Sequence, residues 1–330
     1  MIGVKMTAEQ SESVNARKNR WHQSTLSNLL DGCSWQYFLT YILDLPQGLK
    51  PYALVGSAFH SAVELHENNR MTDPTIITTI EDMEAEGLQF LNDNITEPIE
   101  DALLVELKTN MNSAIYNWYN NIRPVVLNWK PVAVEPEFTI PLVDQAKPIG
   151  GYIDAIYQDD TGRYFIVDWK TAKNFDRWRD AEGHRHQAAM YSVALVLSED
   201  FPEIVEMPEM VYMVVRTQKS VRSNFEPFKI VKVQPTIEDV KLLGDRIRLA
   251  EYTVANEHYT QKTDWALCSK KWCPFYEGCQ ITKTLSGTPD LVRSRMLQQL
   301  NLEQLKSQSG GHGETQYPIS EPTNQLPEEV

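Results

Sequence analysis

Asp168 and Lys170 stand two residues apart in Tyr164-Phe165-Ile166-Val167-Asp168-Trp169-Lys170-Thr171, an apolar run whose far end turns polar. Alternation along a strand puts Tyr164, Ile166, Asp168 and Lys170 on one face and Phe165, Val167 and Trp169 on the other. A carboxylate and an amine therefore point the same way. Upstream, Gly151-Tyr152-Ile153-Asp154-Ala155-Ile156-Tyr157 reads as a second strand, and Asp159-Asp160-Thr161-Gly162 as the turn of a hairpin. Folding about that turn lays Asp154 nearly opposite Asp168. Two carboxylates and a lysine at one end of a hairpin are costly unless they bind a cation or pair among themselves. The bland alternative, a surface ion pair on an edge strand, would add little stability.

Helices must bring the remaining side chains to that end. Ser24-Thr25-Leu26-Ser27-Asn28-Leu29-Leu30 offers a capping hydroxyl ahead of apolar positions, and helical spacing continues through Trp35, Phe38, Leu39 and Ile42 to Pro46, with Cys33 inside it. A second helix is expected from near Gly56-Ser57, with His60 and Glu64 on one face. A lone histidine there reads more often as a hydrogen-bonded core residue than as a ligand. From about residue 75 to 122 the chain reads as an acid-rich helical insert, with Phe90, Leu103, Leu104, Leu107, Ile115 and Trp118 turned inward. Strands are expected at 131–135 and 138–142 ahead of the hairpin, and a helix from Asp180 to Leu197 carries His184, His186, Gln187 and Tyr191. Met210 to Val215 is a strand buried on both faces, Ile230 to Val233 a weaker one, and Ile237 to His258 a long amphipathic helix. This order describes an α/β sheet wrapped by helices. The expected domains are a flexible arm at 1–20, one catalytic domain at 21–290 that contains the insert, and a helical extension with a disordered tail at 291–330.

With 330 residues, 42% of them hydrophobic, the chain can bury one substantial core or two modest ones. No apolar run approaches the roughly 20 residues of a membrane span. Met1 to Arg20 is polar and unlike a leader, so a cytoplasmic protein is expected. A net charge of -14 argues against a chain that coats nucleic acid indiscriminately. Yet Lys170, Lys173, Arg177, Arg179 and Arg185 follow the candidate site, with Arg216, Lys219 and Arg222 further on. That distribution suits a phosphate-bearing substrate and also describes ordinary solvated faces. Trp178, between two arginines, is placed to stack on a base or to pack in the core. Cys33 stands apart, while Cys268, Cys273 and Cys279 crowd together. Disulfides are rare in a reducing compartment, so these are buried thiols or ligands. The Gly-x-x-x-x-Gly-Lys-Ser/Thr loop of a nucleotide-driven motor is absent.

In order along the chain, these segments resemble a known family. Gly56-Ser57-Ala58-Phe59-His60 looks like the Gly-x-x-x-His helix of the RecB-like nucleases of the PD-(D/E)XK superfamily, and Gly151-Tyr152-Ile153-Asp154 like their Gly-x-x-Asp strand. Asp168-Trp169-Lys170-Thr171 looks like their Asp-x-Lys-Thr, and Gln187 with Tyr191 like their Gln-x-x-x-Tyr helix. A lone Asp-x-Lys says little; four motifs in the family's order, over most of the chain, say much. The cysteines are similar to those of the iron-sulfur branch, which includes AddB-type helicase-nucleases and the CRISPR adaptation exonucleases. There, one early and three late cysteines hold a [4Fe-4S] cluster. Cys-x4-Cys-x5-Cys departs from that branch, which more often has two residues between the first pair, so Cys268 fits the pattern least. Four thiolates also suit zinc, though this spread does not suggest a zinc ribbon, and structural thiols remain the third reading.

The resemblance implies a restriction-endonuclease-like fold, a mixed central sheet flanked by helices with the helical insert, closed by Cys33 and the 268–279 segment. It implies a metal-dependent DNA exonuclease acting on single strands or strand ends, in recombination, repair or CRISPR-type processing. Mg²⁺ or Mn²⁺ would be held by His60, Asp154, Asp168 and the carbonyl of Trp169. Lys170 would orient the attacking water, Gln187 and Tyr191 would position Lys170 or the DNA, and Glu135 would cap its strand or assist Lys170. DNA is the expected partner, with a helicase or recombination protein supplying any motor, and no membrane. The alternative is a DNA-end-binding or adaptor subunit that keeps the fold without catalysis. The joint presence of His60, Asp154, Asp168 and Lys170 favours activity.

Overall fold

Tyr164–Ala172, the stretch with the polar end, is the middle strand of a five-stranded sheet in the computed structural model, which describes residues 19–45, 47, 50–219, 225–262, 268–269, 272–276 and 279. The chain divides into two units, Met1–Tyr276 and Glu277–Val330, and every described helix and strand belongs to the first. In chain order the strands are β1 (Lys130–Val134), β2 (Glu137–Ile140), β3 (Ile149–Tyr152), β4 (Ala155–Gln158), β5 (Tyr164–Ala172), β6 (Glu209–Arg216) and β7 (Phe228–Val233). The main sheet has the order β1-β4-β5-β6-β7, and β2 with β3 forms a separate two-stranded sheet. Only β5 and β6 run parallel, so the main sheet is mixed.

The helices are α1 (Gln23–Leu30), α2 (Ser34–Tyr37, continued by a π turn over Phe38–Ile42), α3 (Pro51–Thr72), α4 (Ile80–Asn94), α5 (Asp101–Asn117, continued by a π turn over Trp118–Ile122), α6 (Arg123–Val126), α7 (Arg185–Val196) and α8 (Ile237–Ala255). Strand alternation sorts the core into two layers. Ile156, Ile166, Met210, Tyr212 and Val214 face α1, α7 and α8 through Leu26, Ala188, Met190, Leu243 and Ile247. Tyr157, Phe165, Val167, Trp169, Val211 and Met213 face α3, α4 and α5 through Phe59, Phe90, Leu107 and Ile115. Each fully buried side chain of this size stabilises by about 1.5–3 kcal/mol, which is why both sheet faces are covered. The helical insert shares its core with the sheet instead of closing on itself. The mixed sheet flanked by helices is the architecture expected from the sequence.

Boundaries differ where turn chemistry outweighs apolar spacing. The first expected helix is two: Asp31 and Gly32 both donate to the Ser27 carbonyl, at 2.9 and 2.8 Å, and Cys33 takes extended geometry to open α2. Cys33 thus caps a helix and does not lie within one. α3 starts at Pro51, ahead of Gly56, because proline's fixed φ suits the first helical position. The expected strand 151–157 is also two. Ile153 donates to the Pro136 carbonyl at 3.1 Å, Glu135 donates to the Asp154 carbonyl at 3.0 Å, and the chain crosses from one sheet to the other between them. α7 starts at Arg185, since a single 3-10 turn at Glu182–His184 takes up the expected first turn; another 3-10 turn, at Asp176–Trp178, lies ahead of it. Arg20, placed in the arm, is anchored by Glu137 at 2.6 Å and the Thr139 hydroxyl at 2.7 Å. Parts of the cysteine-rich loop and the whole of the expected helix at 291–305 lie outside the described residues. Among the described residues no helix is long and apolar enough to cross a membrane.

Candidate active site

β4 stops while β5 continues. Their last ladder pair is Ala155 with Val167, so Asp154 lies one step beyond it, nearly opposite Asp168. With no β4 residue left to receive it, the Trp169 N–H donates to Asp154 Oδ2 at 2.7 Å. A strand residue sends its N–H and C=O to the same side, so the Trp169 carbonyl also faces the gap that β4 leaves. Its ring points the other way, edge-on to Trp118 and Tyr157 at 5.7 and 6.4 Å.

Asp168 is only 1% exposed. Its Oδ1 accepts from Gln187 Nε2 at 2.9 Å, and its Oδ2 faces the Lys170 ammonium. Burial pushes the Asp168 carboxyl up to about 6; Lys170 opposes that rise and Asp154 adds to it. α3 brings His60 to the same place, with Nδ1 3.5 Å from Asp154 Oδ2. One turn earlier, a Cβ on Gly56 would lie 3.4 Å from Thr171 Oγ1, so the missing side chain lets the helix approach β5 closely.

A cleft of about 240 Å³ is lined by His60, Asp154, Asp168, Lys170, Gln187 and Tyr191 together. Glu135 is not part of the lining: it follows β1 with a left-handed φ of 48° and meets the site through its backbone N–H on the Asp154 carbonyl. Gln187 holds Asp168, where the sequence reading gave it Lys170 or the DNA. Tyr191 packs edge-on to Phe138 at 5.6 Å. A second cavity, of about 540 Å³, lies at the other end of β5 around Tyr164, Glu203 and Glu209, and contains none of these residues.

Sequence reasoning missed one wall of the cleft. His22, Gln23, Ser24 and Ser27 line it from the start of α1. Trp21 bridges to Ile149, donating to the Pro148 carbonyl at 2.7 Å and accepting from Gly150 at 3.0 Å, which seats α1 beside β3. It also missed Tyr212, whose hydroxyl donates toward the His184 carbonyl at 3.0 Å and Gln187 Oε1 at 3.4 Å. The only local signal for the wall was a polar stretch opening a helix, and Tyr212 read as one more core residue of an apolar strand.

Much of the basic stretch is committed within the fold. Arg185 makes two bonds to Asp239, at 2.8 and 2.6 Å, and Arg179 pairs with Asp176 at 3.0 Å. Arg216 donates to the carbonyls of Glu226 and Lys173. Lys219 sits 3.9 Å over the Tyr116 ring, and Trp178 stacks on His184 at 4.2 Å. Arg222 lies outside the described residues.

The Cys33 thiol approaches the Thr260 carbonyl at 3.9 Å. Burial pushes the Cys273 thiol up, and neighbouring Cys33 and Cys268 push it the same way. Among the described residues, no three His, Cys, Asp or Glu side chains are gathered closely enough to hold a metal ion. The chemistry of the donors nevertheless suits a divalent cation: two carboxylates and an imidazole line the cleft, and one carboxylate is buried at a cost that a cation would relieve.

A family model, described as the PD-(D/E)XK nuclease superfamily, matches residues 20–280. The chain belongs to this superfamily. Superfamily members are typically metal-dependent nucleases that hydrolyse DNA with Mg²⁺ or Mn²⁺, and the mixed five-stranded sheet flanked by helices is consistent with their fold. No curated protein matches the chain. Among solved structures it is similar to SSO0001, at 14% identity over 77% of this chain and 92% of that one; a TM-score of 0.31 gives that likeness no weight.

Proposed function

We propose that the chain is a DNA exonuclease of the RecB-like, iron-sulfur branch, cutting phosphodiester bonds at single strands or strand ends. The observation that carries this reading is the meeting of His60, Asp154, Asp168 and Lys170 in one cleft at the end of β5. His60, Asp154, Asp168 and the Trp169 carbonyl are the proposed ligands of Mg²⁺ or Mn²⁺; the imidazole makes Mn²⁺ the better match. When bound, the ion supplies a water of lowered pKa and neutralises charge on the phosphate.

The chain's own groups do the rest. Lys170 is paired with Asp168 yet 33% exposed, so its ammonium serves both the ligand and an incoming phosphate oxygen. Gln187 fixes the Asp168 carboxylate through Oδ1. The Trp169 N–H fixes Asp154 through Oδ2, and the Glu135 N–H holds the Asp154 backbone. His22, Ser24 and Tyr191 give the cleft polar walls on which a nucleotide can rest. Cys33, Cys268, Cys273 and Cys279 are the proposed ligands of a [4Fe-4S] cluster. The nearness of Cys33 and Cys268 to the Cys273 thiol supports this, since a cationic centre would favour the Cys273 thiolate that burial disfavours. The proposed setting is cytoplasmic recombination, repair or CRISPR-type processing, with a partner supplying any helicase.

Digestion of end-labelled 5′- and 3′-tailed DNA with Mn²⁺, beside a covalently closed single-stranded circle, tests the reading. Release of short products from the tails, an intact circle and loss of cutting in Asp168→Ala are expected. Wild-type protein that cuts nothing would sink the nuclease; a degraded circle would sink the exonuclease.

A further inference from the structure

We infer that Tyr212 is a positioning residue for the reaction: its hydroxyl holds the Gln187 amide from its oxygen end in the orientation that Asp168 requires, and so sustains the hydrogen bond that Gln187 gives to Asp168. The inference rests on the reading of Asp168 as a metal ligand. β5 and β6 are parallel, and their register sets Tyr212 directly beside Asp168 on the neighbouring strand. Neighbours in register share a face, here the face covered by α7, where Tyr212 is buried with Ile166, Met210 and Val214.

A glutamine amide has two ends of nearly equal size, so hydrogen bonding alone decides its orientation. The Asp168 carboxylate only accepts, which turns the Gln187 NH2 toward it, at 2.9 Å. The opposite end, Oε1, then needs a donor, and the Tyr212 hydroxyl is 3.4 Å away. Burial raises the pKa of that phenol, and the neighbouring Asp168 charge raises it further, so it stays a donor throughout the working pH range. The hydroxyl also meets the carbonyl of His184, the residue that opens α7, at 3.0 Å. The single O–H hydrogen is thus shared between two acceptors, one on the residue that opens α7 and one on the Gln187 amide, which ties the amide to the start of its own helix. A phenylalanine would keep the ring in the core and remove only this anchor.

The test uses full-length Tyr212→Phe, Gln187→Ala and the double variant. In metal-free wild type, the Gln187 side-chain amide should give NMR signals displaced from those of solvated glutamines, with slowed proton exchange. In Tyr212→Phe they should move toward the solvated positions while the rest of the spectrum stays dispersed. Mn²⁺ binding by calorimetry should weaken about tenfold in Tyr212→Phe, as for other groups that orient metal ligands. It should weaken no further when Tyr212→Phe is added to Gln187→Ala. Unchanged Gln187 amide signals in Tyr212→Phe, or an undiminished effect in the Gln187→Ala background, would overturn the inference. Wild type that neither binds Mn²⁺ nor cuts DNA would instead sink the metal reading of Asp168, and the amide signals would still decide the role of Tyr212.

Discussion

Asp168 holds its charge in a place that resists it. Its carboxyl sits near about 6 when folded, above the ordinary 3.8, so the folded chain binds that proton more tightly than the unfolded chain does. The stability this lends is whole below about pH 3.8 and is lost as pH rises through about 6, a change on the order of 3 kcal/mol with the opposing pull of Lys170 already included. Metal-free Asp168→Asn should therefore match wild type near about pH 4 and melt several degrees higher at neutral pH, read by scanning fluorimetry in chelator. A variant that melts lower throughout would contradict a strained charge. Lys170→Met should lower kcat by about 100- to 1,000-fold with little change in KM for DNA, because its partner is charge that grows in the transition state. Steady-state digestion separates the two constants. Asp154, Asp168 and Lys170 were legible because strand alternation and a tight turn relate them over short range. The partner of Gln187 was not, since it depends on how α7 is rotated on the sheet.

Helix α3 delivers His60, and its far end is clamped. Glu67 is fully buried and pushed up to about 7 by that burial, with Arg70 pulling the other way. Arg70 pairs with Glu67 at 2.7 Å and reaches the Val126 and Trp129 carbonyls at 3.2 and 2.8 Å, tying α3 to the turn before β1. Breaking such a pair from one side strands a buried charge, so Arg70→Leu should cost about 3 kcal/mol in urea denaturation. Adding Glu67→Leu should recover most of that loss; if it does not, the carbonyl contacts, and not the ion pair, hold the helix. That α3 exists was plain from its spacing. Its start at Pro51 and the break at Gly32 turn on capping and on turn hydrogen bonds, which apolar periodicity does not report.

Across the whole molecule, the metal chemistry and the cysteines make separable claims. Dialysis against a chelator should bring DNA cutting to background, and Mn²⁺ should restore it without changing the protein's colour. Protein purified without oxygen should be brown, with broad visible absorption from thiolate-bound iron, and Cys33→Ser and Cys273→Ser should lose the colour and melt earlier. Colourless wild type holding zinc would replace the cluster with a zinc site and leave the cleft untouched.

The sequence by itself determined the mixed sheet under helices, the hairpin that opposes Asp154 and Asp168, and the choice of His60, Lys170, Gln187 and Tyr191 as their neighbours, though not the wall that α1 adds. Those features follow from period-two and helical spacing and from turn chemistry, all of them short-range. Tertiary structure alone decided that Asp154 falls where the chain leaves one sheet for another, that α1 closes the cleft with His22, and that Gln187 and Tyr212 meet behind Asp168. Each of these depends on how a helix lies on a sheet face, and that is set by packing volumes and hydrogen-bond partners drawn from distant parts of the chain.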